Sequence, residues 1–304
     1  DAAVVEIPPG KVMVHTVDYF RSMVDDPYVF GKIAANHSLG DIFAMGGDPQ
    51  TALAIATVPF GIESKVEDTL TQMMSGAMEI LNDTNCALVG GHTSEGPELS
   101  LGFAVNGLID KDKIMRKGGL EPGDKLIVTK PIGTGTLFAA DMRHKAKGRW
   151  IAAALDHMVM SNRLGAQCLV EYGSRAATDI TGFGLLGHLV EMVRASGVDV
   201  EMVLDAVPIM DGAEDTVRDG IVSSLQPQNV RLRRAVSNLE EAGKDSRYPL
   251  IFDPQTAGGL LASVPADNAD ACVAKLIELG YARTAIVGDV KEQSDRLEPI
   301  TVRV

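Results

Sequence analysis

The chain has 304 residues, 45% of them hydrophobic, and a formal net charge of −13. That length suits two ordinary domains or one large one. The acidity argues against a nucleic-acid partner, which calls for a basic surface, and the lack of any run of about 18 apolar residues argues against a membrane span.

Residues 2–7, "AAVVEI", and 12–17, "VMVHTV", read as two strands joined by the turn "PPGK". After a loop, Asp26-Pro27 begins a helix that ends at Gly46-Gly47. "TALAIATVPF" is a strand, and residues 62–83 form a second long helix with Val66, Leu70, Met73, Met74, Ala77 and Leu81 on its apolar positions. "CALVGGHT" reads as a strand running into a glycine turn, and "LGFAVNGLI" as another strand. The order β-β-α-β-α-β-β predicts an α+β layer, one sheet with helices on one face.

The polar, glycine-bearing "DKDKIMRKGGLEPGD" places a domain boundary near residue 118, dividing the chain into 1–118 and 119–304. The second module starts with the strand "KLIVTKPIG". Helices follow around 136–143 and 149–172, then the strand "RAATDI" and a helix over 183–196. Residues 212–247 are polar and weakly periodic, helical pieces and loops. "DPQTAGGLLASVP" is a turn leading into a strand, 267–280 is a helix, and "ARTAIVGDV" and "LEPITVRV" close the sheet. No internal repeat is visible.

The stretch "ANHSLGDIFAMGG" poses the first chemical question. Side chains set 100° apart put Ala35, Leu39, Ile42, Phe43 and Gly46 on one face, while Phe30, Ile33, Ala34 and Ala44 surround His37 and Asp41. A helix apolar nearly all round is buried on both sides. A carboxylate there is costly unless a cation or hydrogen-bond donors compensate it.

Asp41 has company. Asp1 in "DAAVV", Asp18 in "HTVDYF" and Asp179 in "ATDITGFG" also sit where an apolar stretch meets a turn or helix. Aspartates converging from separate elements can hold ATP through bridging Mg²⁺, which takes carboxylate, phosphate and water oxygens. The plainer alternative is that each caps a helix or turn, an alternative weakened for Asp41 by its place inside a helix. In "LVGGHTSEG", Gly90-Gly91 lets backbone approach a ligand and Thr93 or Ser94 can donate to phosphate, although a strand-end turn explains the pair equally well. His92 has two readings, a ligand contact or a hydrogen bond within the turn. In "DITGFGLLGHLVEM", Thr181, Gly182 and Gly184 introduce a helix whose first amides can face an anion. Leu185, Leu186, Leu189 and Met192 are core, and His188 reads as a hydrogen-bonded structural histidine. No GxxxxGK[ST] motif is present, and "GTGT" at 133–136 is too short to count as a phosphate loop. Cys86, Cys168 and Cys272 lie far apart in apolar surroundings and read as buried free thiols of a cytoplasmic protein. The residues themselves point to a metal- and phosphate-binding α/β protein without naming a substrate.

Together "DAAVV", "TVDYF…VDDPYVFGKIAANHSLGDIFAMGG", "LVGGHTSEGPE", "DITGFGLLGHLVEM" and "DPQTAGGLL" resemble the selenophosphate synthetase (selenide, water dikinase) family, in family order and over almost the whole chain. The resemblance implies the two-domain aminoimidazole ribonucleotide synthetase-like fold: an N-terminal α+β domain that dimerises through its sheet, and a C-terminal α/β domain. It implies conversion of ATP, selenide and water to selenophosphate, phosphate and AMP. It makes Asp1, Asp41 and Asp179 the Mg²⁺ ligands, and Asp18 a contact to metal and nucleotide phosphate. Gly91, His92 and Thr93 become the segment that reaches ATP from the partner subunit of a homodimer. The family's flexible N-terminal segment, with a reactive Cys or selenocysteine and a nearby Lys, has no counterpart here, so no nucleophile is assigned. The chain opens without a methionine, which reads as a piece of a longer protein with room for a fused upstream domain. "ANHSLGD" also replaces the more usual "ATNALSD", setting a histidine beside the site. Two alternatives are a related ATP-dependent kinase or ligase of the superfamily, such as thiamine-monophosphate kinase, and a non-catalytic nucleotide-binding dimerisation module. The "TVDYF…VDDPY" and "DPQTAGGLL" details disfavour the kinase or ligase.

Overall fold

The computed structural model describes residues 2–304, so Asp1 lies outside the described residues. The chain folds as two compact units. One is built from the chain up to Ile114 together with Met158–Arg163, the other from Met115–His157 and Leu164–Val304.

The first unit contains β1 (Lys11–Arg21), α1 (Pro27–Ala44), β2 (Asp48–Pro59), α2 (Glu63–Asp83), β3 (Ala87–Gly96) and β4 (Ser100–Asp110). Its sheet has the order β1-β4-β2-β3; β1 and β2 run antiparallel to β4, and β3 runs parallel to β2. The helix α1 starts where it does because Asp26 caps it, accepting from the amides of Tyr28 and Val29 at 2.9 and 3.1 Å, with Pro27 preset for the first turn. The sheet covers one side of α1 and α2 the other, so Phe30, Ile33, Leu39, Ile42 and Phe43 are all buried. Two glycines permit the helix crossing. A Cβ at Gly31 would fall 1.9 Å from the Met73 carbonyl oxygen, and one at Gly76 equally close to that of Tyr28.

Three expectations for this unit change. Residues 2–7 form no strand; their β-branched residues favour one, but no sheet edge pairs with them and most are exposed. The strand β1 continues to Arg21, which puts Asp18 in mid-strand and not at a turn. The strand β3 runs straight through Gly90-Gly91, paired to β2 with a bulge after Ala52, where a turn was expected.

The second unit contains β5 (Lys125–Val128), α3 (Thr134–Asp141), α4 (Gly148–Val159), α5 (Arg163–Glu171), β6 (Ala177–Asp179), α6 (Gly184–Ser196) and β7 (Asp199–Val203). Three short helices follow, α7 (Ala213–Arg218), α8 (Gln226–Asn229) and α9 (Leu239–Ala242), then β8 (Leu260–Val264), α10 (Ala266–Glu278), β9 (Ala285–Lys291) and β10 (Ile300–Arg303). The sheet order is β10-β7-β9-β5-β8-β6, antiparallel except between β10 and β7. Register brings the ends of β5, β6 and β7 and the starts of β8 and β9 to one end of the sheet: Val128 lies opposite Leu261 and Ala285, and Asp179 opposite Leu260.

The single helix expected over 149–172 is two helices, α4 and α5. The break has a local cause in the first unit, to which Met158–Arg163 belongs. There Asn36 donates to the carbonyls of Met158 and Met160 at 2.7 and 2.8 Å, and the Ser161 hydroxyl accepts from the Arg163 amide at 3.2 Å. All three cysteines are buried and free. Among the described residues no helix is long and apolar enough to cross a membrane.

Candidate functional site

Strand alternation decides which way β1 faces. Thr16, Asp18 and Phe20 pair with Val105, Phe103 and Leu101 and so point to the helix side. On α1, His37 and Asp41 are one turn apart and share a face. The two sets meet. The Thr16 hydroxyl donates to the Asp41 carboxylate, His37 Nε2 lies 3.9 Å from Asp18 Oδ1, and the Phe20 ring packs edge-on to the His37 ring with centroids 4.9 Å apart. Asp41 therefore faces the inner side of β1.

The electrostatics follow from this crowding. Burial pushes the Asp18 carboxyl up to about 6, and the neighbouring charge of Asp41 adds to the rise. Burial also lowers His37 to about 4, against the pull of Asp41, so the imidazole is neutral near pH 7. Among the described residues no Lys or Arg pairs with either acid, and the His37 ring beside Asp18 is neutral. Thr16, the donor to Asp41, was not singled out from the sequence; its spacing of two from Asp18 in an alternating strand was the available signal.

Gly91, His92 and Thr93 lie on β3, on the far edge of the same sheet. Asp18, Phe103, Ala54 and Gly91 form one row across the four strands. Within one chain, three strand spacings, about 14 Å, separate Asp18 from Gly91. Gly91 has a structural duty as well: a Cβ there would fall 2.2 Å from the Ala54 carbonyl oxygen of β2. His92 makes no turn, being exposed on an extended strand opposite Ile55.

In the second unit Asp179 ends β6, with only 7% of its surface exposed. Just beyond it, the Thr181 amide donates to His188 Nε2 at 3.0 Å, so His188 is the structural histidine expected. The segment 253–259 packs beside this turn, its Gly259 carbonyl accepting from the Ile180 amide at 2.8 Å. Its side chains also explain why "GTGT" is no phosphate loop. The amides of Gly133 and Thr134 donate to Gln255 Oε1 at 2.9 and 3.1 Å, and that of Gly135 to Asp253 Oδ2 at 3.0 Å. Burial lifts the Asp253 carboxyl to about 7, opposed by the donors around it. Asp253 and Gln255 were passed over in the sequence because an Asp-Pro pair before glycines reads as an ordinary turn.

Among the described residues no three His, Cys, Asp or Glu side chains form a ready-made metal-binding group. Mg²⁺ keeps several waters and is commonly held by one or two carboxylates together with substrate phosphates. The residues fit the ion: Asp18 and Asp41 are hard oxygen donors, the Asp41 charge raises Asp18, and a divalent cation held by them would offset that repulsion.

The family model described as AIR synthase related protein, N-terminal domain, matches residues 1–109, and its C-terminal domain counterpart matches residues 121–298. A selenide, water dikinase from Geobacter metallireducens is 39% identical over 288 residues, 95% of this chain and 83% of the relative. One from Clostridioides difficile is 36% identical over 300 residues, 97% of this chain and 84% of the relative. Among solved structures, thiamine-monophosphate kinase from Stenotrophomonas maltophilia K279a superimposes with a TM-score of 0.74 at 18% identity, over 98% of this chain and 87% of that one. At that identity the likeness is one of fold.

Proposed function

Because the chain belongs to the selenide, water dikinase family of AIR synthase related proteins, we propose that it makes selenophosphate from selenide, water and ATP, releasing AMP and phosphate. The observation that carries the site is the Asp18–Asp41 pair, two acids brought together with no Lys or Arg paired to either among the described residues. Asp18 and Asp41 would hold Mg²⁺, with Asp179 and Asp1 as further ligands by their match to the family motifs. Bound there, Mg²⁺ neutralises polyphosphate charge and favours an in-line attack. Thr16 orients the Asp41 carboxylate by its hydroxyl. The neutral His37 adds no positive charge, so the site keeps its attraction for a cation.

The same reading makes the active form a homodimer. Gly91, His92 and Thr93 reach the nucleotide of the partner subunit, which accounts for their place across the sheet from Asp18. Val17, Tyr19, Leu53 and Ile55 are exposed on the sheet face away from the helices, the apolar surface that a second copy would cover. In this division residues 1–118 bind ATP and dimerise, and 119–304 form the C-terminal domain that supplies Asp179. No cysteine of this chain is the nucleophile: all three are buried, and burial pushes the Cys86 and Cys272 thiols up to about 11 and about 12. Free thiols suit a reducing compartment, and we place the protein in the cytoplasm.

Calorimetric titration of ATP in Mg²⁺ and in chelator tests the core of this reading. Binding should need the metal, since the carboxylates otherwise meet a polyanion; equal affinity in both would sink it. Selenide-dependent AMP formation checks the reaction itself.

A further inference from the structure

Asp179 is held in place from behind. The Ile180 amide donates to the Gly259 carbonyl at 2.8 Å, and the Gln255 amide donates to the Thr181 carbonyl at 3.0 Å. The two peptides that follow Asp179 are thus gripped by one loop, 253–259. Gly258 lets the grip close, since a Cβ there would lie 2.1 Å from the Ile180 carbonyl oxygen.

That loop is fastened by its own side chains. Gln255 Oε1 accepts from the Gly133 and Thr134 amides and, at 3.1 Å, from the Thr134 hydroxyl. Gln255 Nε2 donates to the Asp253 carbonyl at 2.8 Å and to Asp253 Oδ2 at 3.0 Å. Lys130, also buried, donates to the Ala257 carbonyl at 3.5 Å. Ala257 itself is in the left-handed region, with φ of 50°, a conformation unusual for alanine. A helix N-terminus can be capped by one Ser or Thr at little cost. Here three buried polar side chains and a strained alanine converge on one loop. Such strain persists only where the surroundings over-determine it, and it gathers at functional sites.

We propose that Gln255 is a positioning residue for Asp179: it locks loop 253–259 to the start of α3, so that the loop backbone holds the Ile180 and Thr181 peptides and fixes the direction of the Asp179 carboxylate. The inference rests on the reading of Asp179 as a metal ligand. Groups that orient a metal ligand tune metal affinity, and the loss of one typically costs about tenfold or more.

The test uses the full chain and measures the Mg²⁺ concentration that gives half-maximal ATP binding by calorimetry, alongside melting temperature. Asp179→Asn should raise that midpoint strongly. Gln255→Ala should raise it by roughly tenfold, and in the double variant it should add nothing to Asp179→Asn. Thr134→Ala removes one of the bonds to Gln255 and should shift the midpoint less, in the same direction; it decides the matter alone if Gln255→Ala does not fold. A lower melting temperature with an unmoved Mg²⁺ midpoint in the Gln255 and Thr134 variants, or a fully additive double variant, overturns the positioning role. Should Asp179→Asn itself leave the midpoint unmoved, the ligand reading fails and the inference with it. A shifted Asp179→Asn beside an unmoved Gln255→Ala overturns the inference alone.

Discussion

Asp18 in the first unit and Asp253 in the second both have carboxyls pushed above the usual range, to about 6 and about 7, with burial the largest cause of each. Their neighbours set them apart. Around Asp253 every other influence lowers the value again, because Gln255 and the amides at the start of α3 donate to it. Around Asp18 the second influence is another acid, Asp41, which raises it further. Among the described residues, the chain gives donors to Asp253 and a second acid to Asp18. A buried acid held by donors, as Asp253 is at Oδ2, is part of the fold. A half-buried acid facing an acid favours a cation that offsets both charges.

Reciprocal substitutions give the sharpest break of this contrast. Asp253→Ala strips the Gly135 amide and Gln255 Nε2 of an acceptor and should cost about 3 kcal/mol of stability, a fall of several degrees in melting temperature. Asp41→Asn keeps the side-chain volume and removes one of two opposed charges. The metal-free protein should melt at the same or a higher temperature, while ATP affinity in Mg²⁺ should fall by at least about tenfold. The contrast collapses if Asp41→Asn destabilises the metal-free protein and leaves affinity unchanged.

The pH dependence of folding sharpens it next. Unfolded, the Asp253 carboxyl titrates near 3.8; folded, it does so at about 7. Between those values the folded state keeps a proton that the unfolded chain has lost, so stability falls as pH rises through the window. The slope from this group alone reaches about 1.4 kcal/mol per pH unit. Asp253→Asn removes the titration, and denaturant melts at pH 5 and pH 7 should then differ less than in the native chain. An unchanged difference would mean that the donors have already brought this carboxyl back to ordinary behaviour.

How much of this could be read in advance depends on the periodicity involved. The helix α1, with its half-buried acid, was legible from its ends, the Asp26-Pro27 start and the glycine stop, and from the largely apolar stretch between them. The inner face of β1 was not. Its Asp18 lies beyond the apolar run "VMVHTV", and only pairing to β4 keeps the strand going to Arg21. The break between α4 and α5 was hidden for a similar reason, since Asn36, far away in sequence, supplies the donors that hold the 158 and 160 carbonyls out of a helix. The motif "DPQTAGGLL" was visible as a resemblance, but its work is long-range. Gln255 bonds to residues more than a hundred positions earlier, and no local pattern announces such a partner.

The smallest effect concerns Thr16, whose hydroxyl donates to Asp41 from the strand side. Thr16→Val leaves the volume nearly unchanged and suits a strand equally well. Without metal, Asp41 loses a hydrogen bond while the Asp18 charge stays beside it, so the protein should lose about 1 kcal/mol. With Mg²⁺ and ATP bound, the cation takes over the task of satisfying the carboxylate, and the loss should shrink to a few tenths of a kcal/mol by the same measure. Melting curves of the native and Thr16→Val chains, each with and without Mg·ATP, give the four values needed. If the hydroxyl serves only the fold, the loss will be the same in both states, and Asp41 will belong with Asp253 among the acids held by the chain's own donors. A loss that disappears on binding places it with Asp18, held ready by a single donor until the cation arrives.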